Sequence, residues 1–202
     1  MHGYRQMTKG LGGGDVAKVS VSRPNVCEYL RRLGGELQWH GALSLDYILL
    51  HESQIPLFID ANPRLVEPMN AAFSGVNLAD VLVRISSGEP FAMVAPSGKQ
   101  VRTHMLLMAL LSSAAVKRRR RDVIAELMRA IRRRVLHAGS REELLPVRID
   151  FKSLFPLAYA VTPLLVNPEA ATALSVGSIA SYSLSPGAER RIAAPCTASA
   201  GF

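Results

Sequence analysis

Residues 41–64 read "GALSLDYILLHESQIPLFIDANPR", and the fold class turns on this stretch. Two apolar runs, 41–50 and 55–61, flank the polar "HESQ", a pattern that predicts an antiparallel hairpin. The second run ends abruptly. After Leu57, Phe58 and Ile59 come Asp60, Asn62 and Arg64, spaced two apart around Pro63. Residues two apart on an extended segment share one face, and an antiparallel partner brings Asp46 beside them. Burial of Leu57, Phe58 and Ile59 is expected to make the strand a platform for these polar groups.

Hard oxygen donors with one or two carboxylates suit Mg²⁺, which keeps waters and shares its shell with substrate phosphates. The planar cation of Arg64 is suited to clamp a carboxylate or phosphate. Asp46, Asp60, Asn62 and Arg64 are therefore the candidate site, fitted to phosphoryl chemistry, in which a protein mainly positions groups and neutralises charge. A simple strand-ending turn is the structural alternative, since Asp, Asn and Pro are all common turn residues.

Outward from the hairpin, residues 1–22 read as a glycine-rich loop leading into the alternating strand "VAKVSVS". Gly12, Gly13 and Gly14 with Lys18 lack phosphate-loop spacing and read as a flexible connection. Pro24 opens a helix whose apolar face is Val26, Tyr29, Leu30 and Leu33, ending at Gly34 and Gly35. Residues 68–88 predict short helices broken near Ser74 and Gly75, with Val76, Leu78, Val81, Leu82 and Ile85 inward. From Arg102 onward every segment reads as helical: 102–115, 117–137, 153–166, 168–182 and 186–193. Ser140 with Glu143 has capping-box spacing, and Asn167-Pro168-Glu169 and Ser185-Pro186 mark further starts. The chain thus divides near residue 95 into an α+β portion, 1–95, and a mostly α-helical portion, 96–202.

The 202 residues are 49% apolar and 20% charged, a composition that excludes disorder as the general state. A net charge of +8 points to anionic partners, but Lys117 to Arg121 and Arg132 to Arg134 supply eight of the cations. An amphipathic stripe from Val123 to Leu136 and the lack of aromatic stacking residues make this basic stretch a solvated helix face rather than a nucleic-acid reader. Cys27 and Cys196 have no metal-type spacing and no secretory signal precedes them, so a cytoplasmic location is expected. No apolar run reaches the length that spans a bilayer, so no membrane association is expected.

The string "WHGALSLDYILL…PLFIDANPRLVEP…AAFSGVNLADVLVRISSGE", within residues 36–90, resembles the C-terminal part of the ATP-binding region of ATP-grasp enzymes. The shared features are an acidic strand, a second strand ending in acid-x-Asn-x-Arg, and a helix with a "GVNL…G" signature. The resemblance implies the C-terminal half of an ATP-grasp fold, with antiparallel strands and packed helices. It implies ATP and Mg²⁺ as cofactors, and an activity in which a carboxylate becomes an acylphosphate that an amine or similar nucleophile attacks. Asp46 resembles the first metal-binding acid and Asp60 stands where the second is more often Glu. Asn62 resembles the metal-binding asparagine, and Arg64 the arginine that biotin carboxylase-like members place beside the reacting group. Ser44 departs from the D-alanine ligase branch, which has arginine there.

The family's site is a clamp between two subdomains. The upstream half, with its phosphate-binding lysines and glycine-rich lid, is expected to lie outside a truncated chain, leaving a homodimer or a separate partner chain open. The phrase "REELLPVRIDFKSLFPL" resembles a helical extension after the core in some bacterial members. An alternative function of another class is a non-catalytic remnant or interaction module, whose basic helix 117–137 binds an acidic partner or nucleic acid. His40 and Glu67 are lesser candidates: a histidine beside a tryptophan, here Trp39, is more often structural, and Glu67 is equally plausible as a solvated or locally paired carboxylate.

Overall fold

A computed structural model describes residues 1–11, 14–50, 53–66, 68–90, 100–145, 147 and 150–173. The elements are β1 (Gly3–Lys9), β2 (Asp15–Val21), α1 (Pro24–Glu36), β3 (Ser44–Leu49), β4 (Pro56–Asn62), α2 (Met69–Phe73) and α3 (Leu78–Ser87). They continue with β5 (Arg102–His104), α4 (Leu106–Lys117), α5 (Arg120–Ile131), β6 (Ser140–Glu142) and α6 (Leu154–Val166). The architecture is mixed α+β. One sheet has the order β1-β2-β5-β6, and a second is the β3-β4 hairpin. The expected helices 168–182 and 186–193 fall wholly or partly outside the described residues, although 168–173 is helical.

β2 is the centre of the larger sheet. Val16, Ala17, Lys18, Val19 and Ser20 are all buried, because β1 and β5 pair antiparallel on its two edges while α2 and α4 pack near it. β5 and β6 pair in parallel, so the sheet is mixed and takes strands from both sides of residue 95. Three sequence expectations change here. β1 is a strand rather than loop: its two large apolar residues, Tyr4 and Met7, are three apart and its pairing with β2 shifts register twice beyond Gln6, so it carries no apolar alternation to read. Residues 102–104 are a strand too short to show a period. Ser140 and Glu143 do not cap a helix, because β6 occupies that position and both side chains have partners in the sheet.

Those partners form a buried polar layer. Lys18, fully buried, is 2.8 Å from the Glu143 carboxylate, itself 1% exposed, and its ammonium lies 4.9 Å from the centre of the Tyr4 ring. Asn70, also fully buried, donates to the Thr103 hydroxyl at 2.7 Å, and the His2 ring meets its oxygen at 2.8 Å. These bonds join the residue before β1 to α2 and β5. At the β1–β2 turn, a Cβ on Gly10 would stand 2.7 Å from Val16 Cγ2 and 2.8 Å from Ser112 Oγ, so only glycine lets the turn approach α4 this closely.

The helical portion has its own core, in which Leu110, Ala114, Val123, Val161 and Leu164 pack together with Leu106, Leu127 and Leu157 at the margin. Helix ends follow local chemistry. Pro24 supplies the first turn of α1, and Asn77 accepts from Asp80 N–H at 3.1 Å to cap α3, which closes on Gly88 at φ 70°. The break expected near Gly75 separates α2 from α3. The expected helix 117–137 is shorter. α5 ends at Ile131, and a 3-10 turn, Val135–His137, follows.

Removing one member of a buried ion pair strands the other in a medium that cannot solvate it, at a cost of about 3–5 kcal/mol. Glu143→Ala is therefore expected to lower the unfolding free energy by about that amount, and Lys18→Met with Glu143→Leu to recover most of it. Urea unfolding of the three proteins checks this; a loss under about 1 kcal/mol in the single variant contradicts it.

Candidate functional site

The hairpin register decides which side chains meet. β3 and β4 pair with Tyr47 opposite Phe58, Ile48 opposite Leu57, and Leu49 opposite Pro56. Between Tyr47 and Asp46 the register shifts, and Asp46 stands opposite Asp60 with Ile59 as the extra residue. In an unbroken ladder Asp60, two residues from Phe58, would share its face. The bulge turns Asp60 over, because an extra residue reverses the alternation beyond it. Leu45, Tyr47, Leu49, Pro56 and Phe58 then occupy one face, and Ser44, Asp46, Ile48, Leu57, Asp60 and Asn62 the other.

The two faces have different surroundings. Phe58 meets the Tyr47 ring edge-on at 6.1 Å between centres, and a shallow cleft beside it is lined by Tyr29, Arg32, Leu33 and Glu36 of α1. The opposite face is open, with Ile48, Leu57 and Ile59 55%, 47% and 63% exposed and Asp46 and Asp60 exposed beside them. The expected platform is corrected accordingly: Phe58 is the half-buried anchor, whereas Leu57 and Ile59 lie on the open face.

The structure brings three of the four candidates together. Asp46 and Asp60 are cross-strand partners, and Asn62 Nδ2 donates to Asp60 Oδ2 at 2.9 Å. With its nitrogen engaged by the carboxylate, the Asn62 amide keeps Oδ1 as an oxygen donor. Arg64 is fixed through its backbone: its N–H donates to Asn62 O at 2.8 Å, and its carbonyl accepts from Ser44 Oγ at 2.9 Å. Its side chain is exposed at the end of β4. Among the described residues no cation pairs with Asp46 or Asp60, and no three His, Cys, Asp or Glu side chains gather as a metal cluster. His40 is exposed and Glu67 lies outside the described residues.

A second group of polar side chains, which the sequence does not signal, comes together beside the sheet. Ser140 Oγ is 2.8 Å from His104 Nδ1, and His104 Nε2 is 3.4 Å from Glu142 Oε2, the connectivity of a hydroxyl, an imidazole and a carboxylate. Its chemistry is structural. Glu142 also accepts the Leu106 N–H at 2.8 Å and the Leu144 N–H at 3.1 Å, so it caps the start of α4. Burial, helped by the charge of His137, lowers the His104 pKa to about 4, too weak a base for hydroxyl activation at neutral pH. Burial raises the Glu142 pKa against the lowering effect of its backbone hydrogen bonds. The His137 ring stands edge-on to His104 with centres 4.5 Å apart, and its Nε2 meets Glu126 Oε1 at 3.0 Å. No short motif signals these contacts, because His104 on β5, the Ser140 and Glu142 pair on β6, Glu126 on α5 and His137 in the 3-10 turn come from separate elements.

The basic stretch is partly neutralised. Lys117 pairs with Asp122 at 3.8 Å, Arg118 with Glu169 at 3.2 Å, and Arg129 with Glu126 at 2.7 Å. Cys27 is a half-buried free thiol, and Cys196 lies outside the described residues. No helix among the described residues is long and apolar enough to cross a membrane. Compared with protein-family models, curated proteins and solved structures, the chain gives no match.

His104 makes stability depend on pH. The unfolded chain takes up a proton on this ring around its ordinary value of 6.5, while the folded chain withholds it until about 4. Stability from this group is complete above pH 6.5, declines as pH falls toward 4, and changes no further below that. His2, also lowered by burial, adds in the same direction, whereas Glu142 weakens the fold as pH rises past its ordinary 4.5. Urea midpoints between pH 7 and 4 are expected to fall in the wild type and to fall less in His104→Gln. Parallel profiles would contradict the assignment.

Proposed function

We propose that the open face of the β3–β4 hairpin is the metal- and phosphate-binding side of an ATP-dependent ligase site of the ATP-grasp type. Asp46, Asp60 and Asn62 are its oxygen donors, and Arg64 lies beside the reacting group. The observation that carries this reading is the pair of exposed aspartates placed directly opposite each other by a bulge. Like charges directly opposed across a ladder destabilise it, and a divalent cation reverses the sign of that interaction. Two carboxylates and one amide oxygen fit Mg²⁺, whose remaining positions go to water and nucleotide phosphates.

When bound, Mg²⁺ supplies charge neutralisation on the phosphates. Asp46, Asp60 and Asn62 would hold the ion, and the Arg64 guanidinium would balance charge on a phosphate or carboxylate. The same face has an apolar half, Ile48, Leu57 and Ile59. A surface with convergent polar groups at one end and aliphatic side chains at the other suits a nucleotide, with phosphates over the acids and the base over the aliphatic side chains. The reaction class follows from the resemblance in residues 36–90: activation of a small carboxylate as an acylphosphate, then attack by an amine or similar nucleophile.

Calorimetric titration with ATP in the presence and absence of Mg²⁺ tests the reading. Magnesium-dependent binding is expected in the wild type, weakened at least tenfold in Asp46→Asn/Asp60→Asn and in Asn62→Ala. The variants carry exposed or half-exposed substitutions, so folding is preserved. Absence of binding, or equal affinity in all three proteins, would remove the hairpin from nucleotide chemistry.

A further inference from the structure

The turn after α5 concentrates positive charge around a groove. Its lining is Ala125, Met128, Arg129, Arg132 and Arg134. The turn is closely fixed, since the N–H groups of Arg132, Arg133 and Arg134 donate to the carbonyls of Met128, Ala130 and Arg129 at 3.0, 3.0 and 2.8 Å. Arg133 at φ 49° and Val135 at φ 56° both sit in the left-handed region, which a β-branched residue such as valine rarely adopts. Strained backbone of this kind persists where the surroundings enforce it, and it gathers at ligand clamps.

Arg129 is held from behind. Its Nη1 lies 2.7 Å from Glu126 Oε2, while Glu126 Oε1 is 3.0 Å from His137 Nε2, and Glu126 and His137 are 7% and 1% exposed. A guanidinium has five N–H donors, so this contact leaves others of Arg129 available. Among the described residues Arg132 and Arg134 have no acidic partner. The arrangement therefore gathers like charge on a rigid turn with one arginine pre-positioned by a buried pair, which favours an anionic ligand.

We propose that this groove binds the phosphate group of a small organic phosphate, with Ala125 and Met128 under its apolar part. Three guanidiniums from three chain positions match an ion with several acceptor oxygens and up to two charges, whereas one arginine fork satisfies a carboxylate. A single-stranded nucleic acid needs aromatic stacking platforms, and no lining residue of the groove is aromatic. The site shares no residue with the hairpin face and stands apart from the nucleotide reading.

The test is calorimetry on the full chain in metal-free, low-salt buffer, with phenyl phosphate and inorganic phosphate as probes. Saturable one-site binding is expected, tighter for phenyl phosphate, weakened at least tenfold in Arg132→Gln/Arg134→Gln and unchanged in Arg31→Gln, an exposed arginine outside both sites. Both arginines are exposed, and an unchanged thermal unfolding curve verifies that the double variant is folded. No saturation in the wild type, undiminished affinity in the double variant, or binding only to long DNA or RNA would overturn the proposal. Equal affinity for the two phosphates would overturn the role given to Ala125 and Met128.

Discussion

The ion pair between Lys18 and Glu143 is the constraint on which the arrangement depends. A lysine at the centre of a buried strand is tolerated only if its charge is met, and Glu143 meets it at 2.8 Å from the residue directly after β6. That contact draws the 140–143 segment into the sheet as a strand, where a helix start was expected. Once β6 is there, Glu142 reaches the first N–H of α4 and the ring of His104, and the helical portion is fastened to the sheet through a charged cap. Buried pairs of this kind add less net stability than their short distance implies, because desolvation offsets the Coulomb gain. Their effect here is on which strands pair.

The same sheet sets up the hairpin. β2 leads within two residues into α1, whose Tyr29, Arg32, Leu33 and Glu36 line a shallow cleft with Phe58. Tyr47 and Phe58 are half-buried on that side, and the opposite face is open. The bulge at Ile59 then places Asp60 on that open face with Asp46 and Asn62. An anchor on one side and a bulge on the other suffice to present three oxygen donors together.

Local patterns in the sequence predicted local structure well. The apolar runs around "HESQ" identified the hairpin and its antiparallel sense, and with it the juxtaposition of Asp46 and Asp60. Pro24 and Gly75 marked helix boundaries through their own backbone preferences. What escaped was determined by partners distant in the chain. β1 has no alternation because its apolar Tyr4 and Met7 are three apart and its pairing with β2 shifts register twice. β5 and β6 have three residues each, too few for periodicity, and exist because β2 offers hydrogen bonds on one side and Lys18 demands a carboxylate nearby. Leu57 and Ile59 were expected inside because apolar residues favour burial, but a two-stranded sheet covered on one side has only one inner face. His104, His137 and Glu126 come from separate elements and have no spacing that signals their contact.

Manganese-induced broadening of backbone amide signals tests the central claim most directly, because it locates a divalent cation residue by residue. With ATP present, substoichiometric Mn²⁺ is predicted to broaden the amides of Asp46, Asp60 and Asn62 first. Broadening centred elsewhere, or none along β3 and β4, would contradict the assignment of the hairpin's open face as the metal and phosphate site.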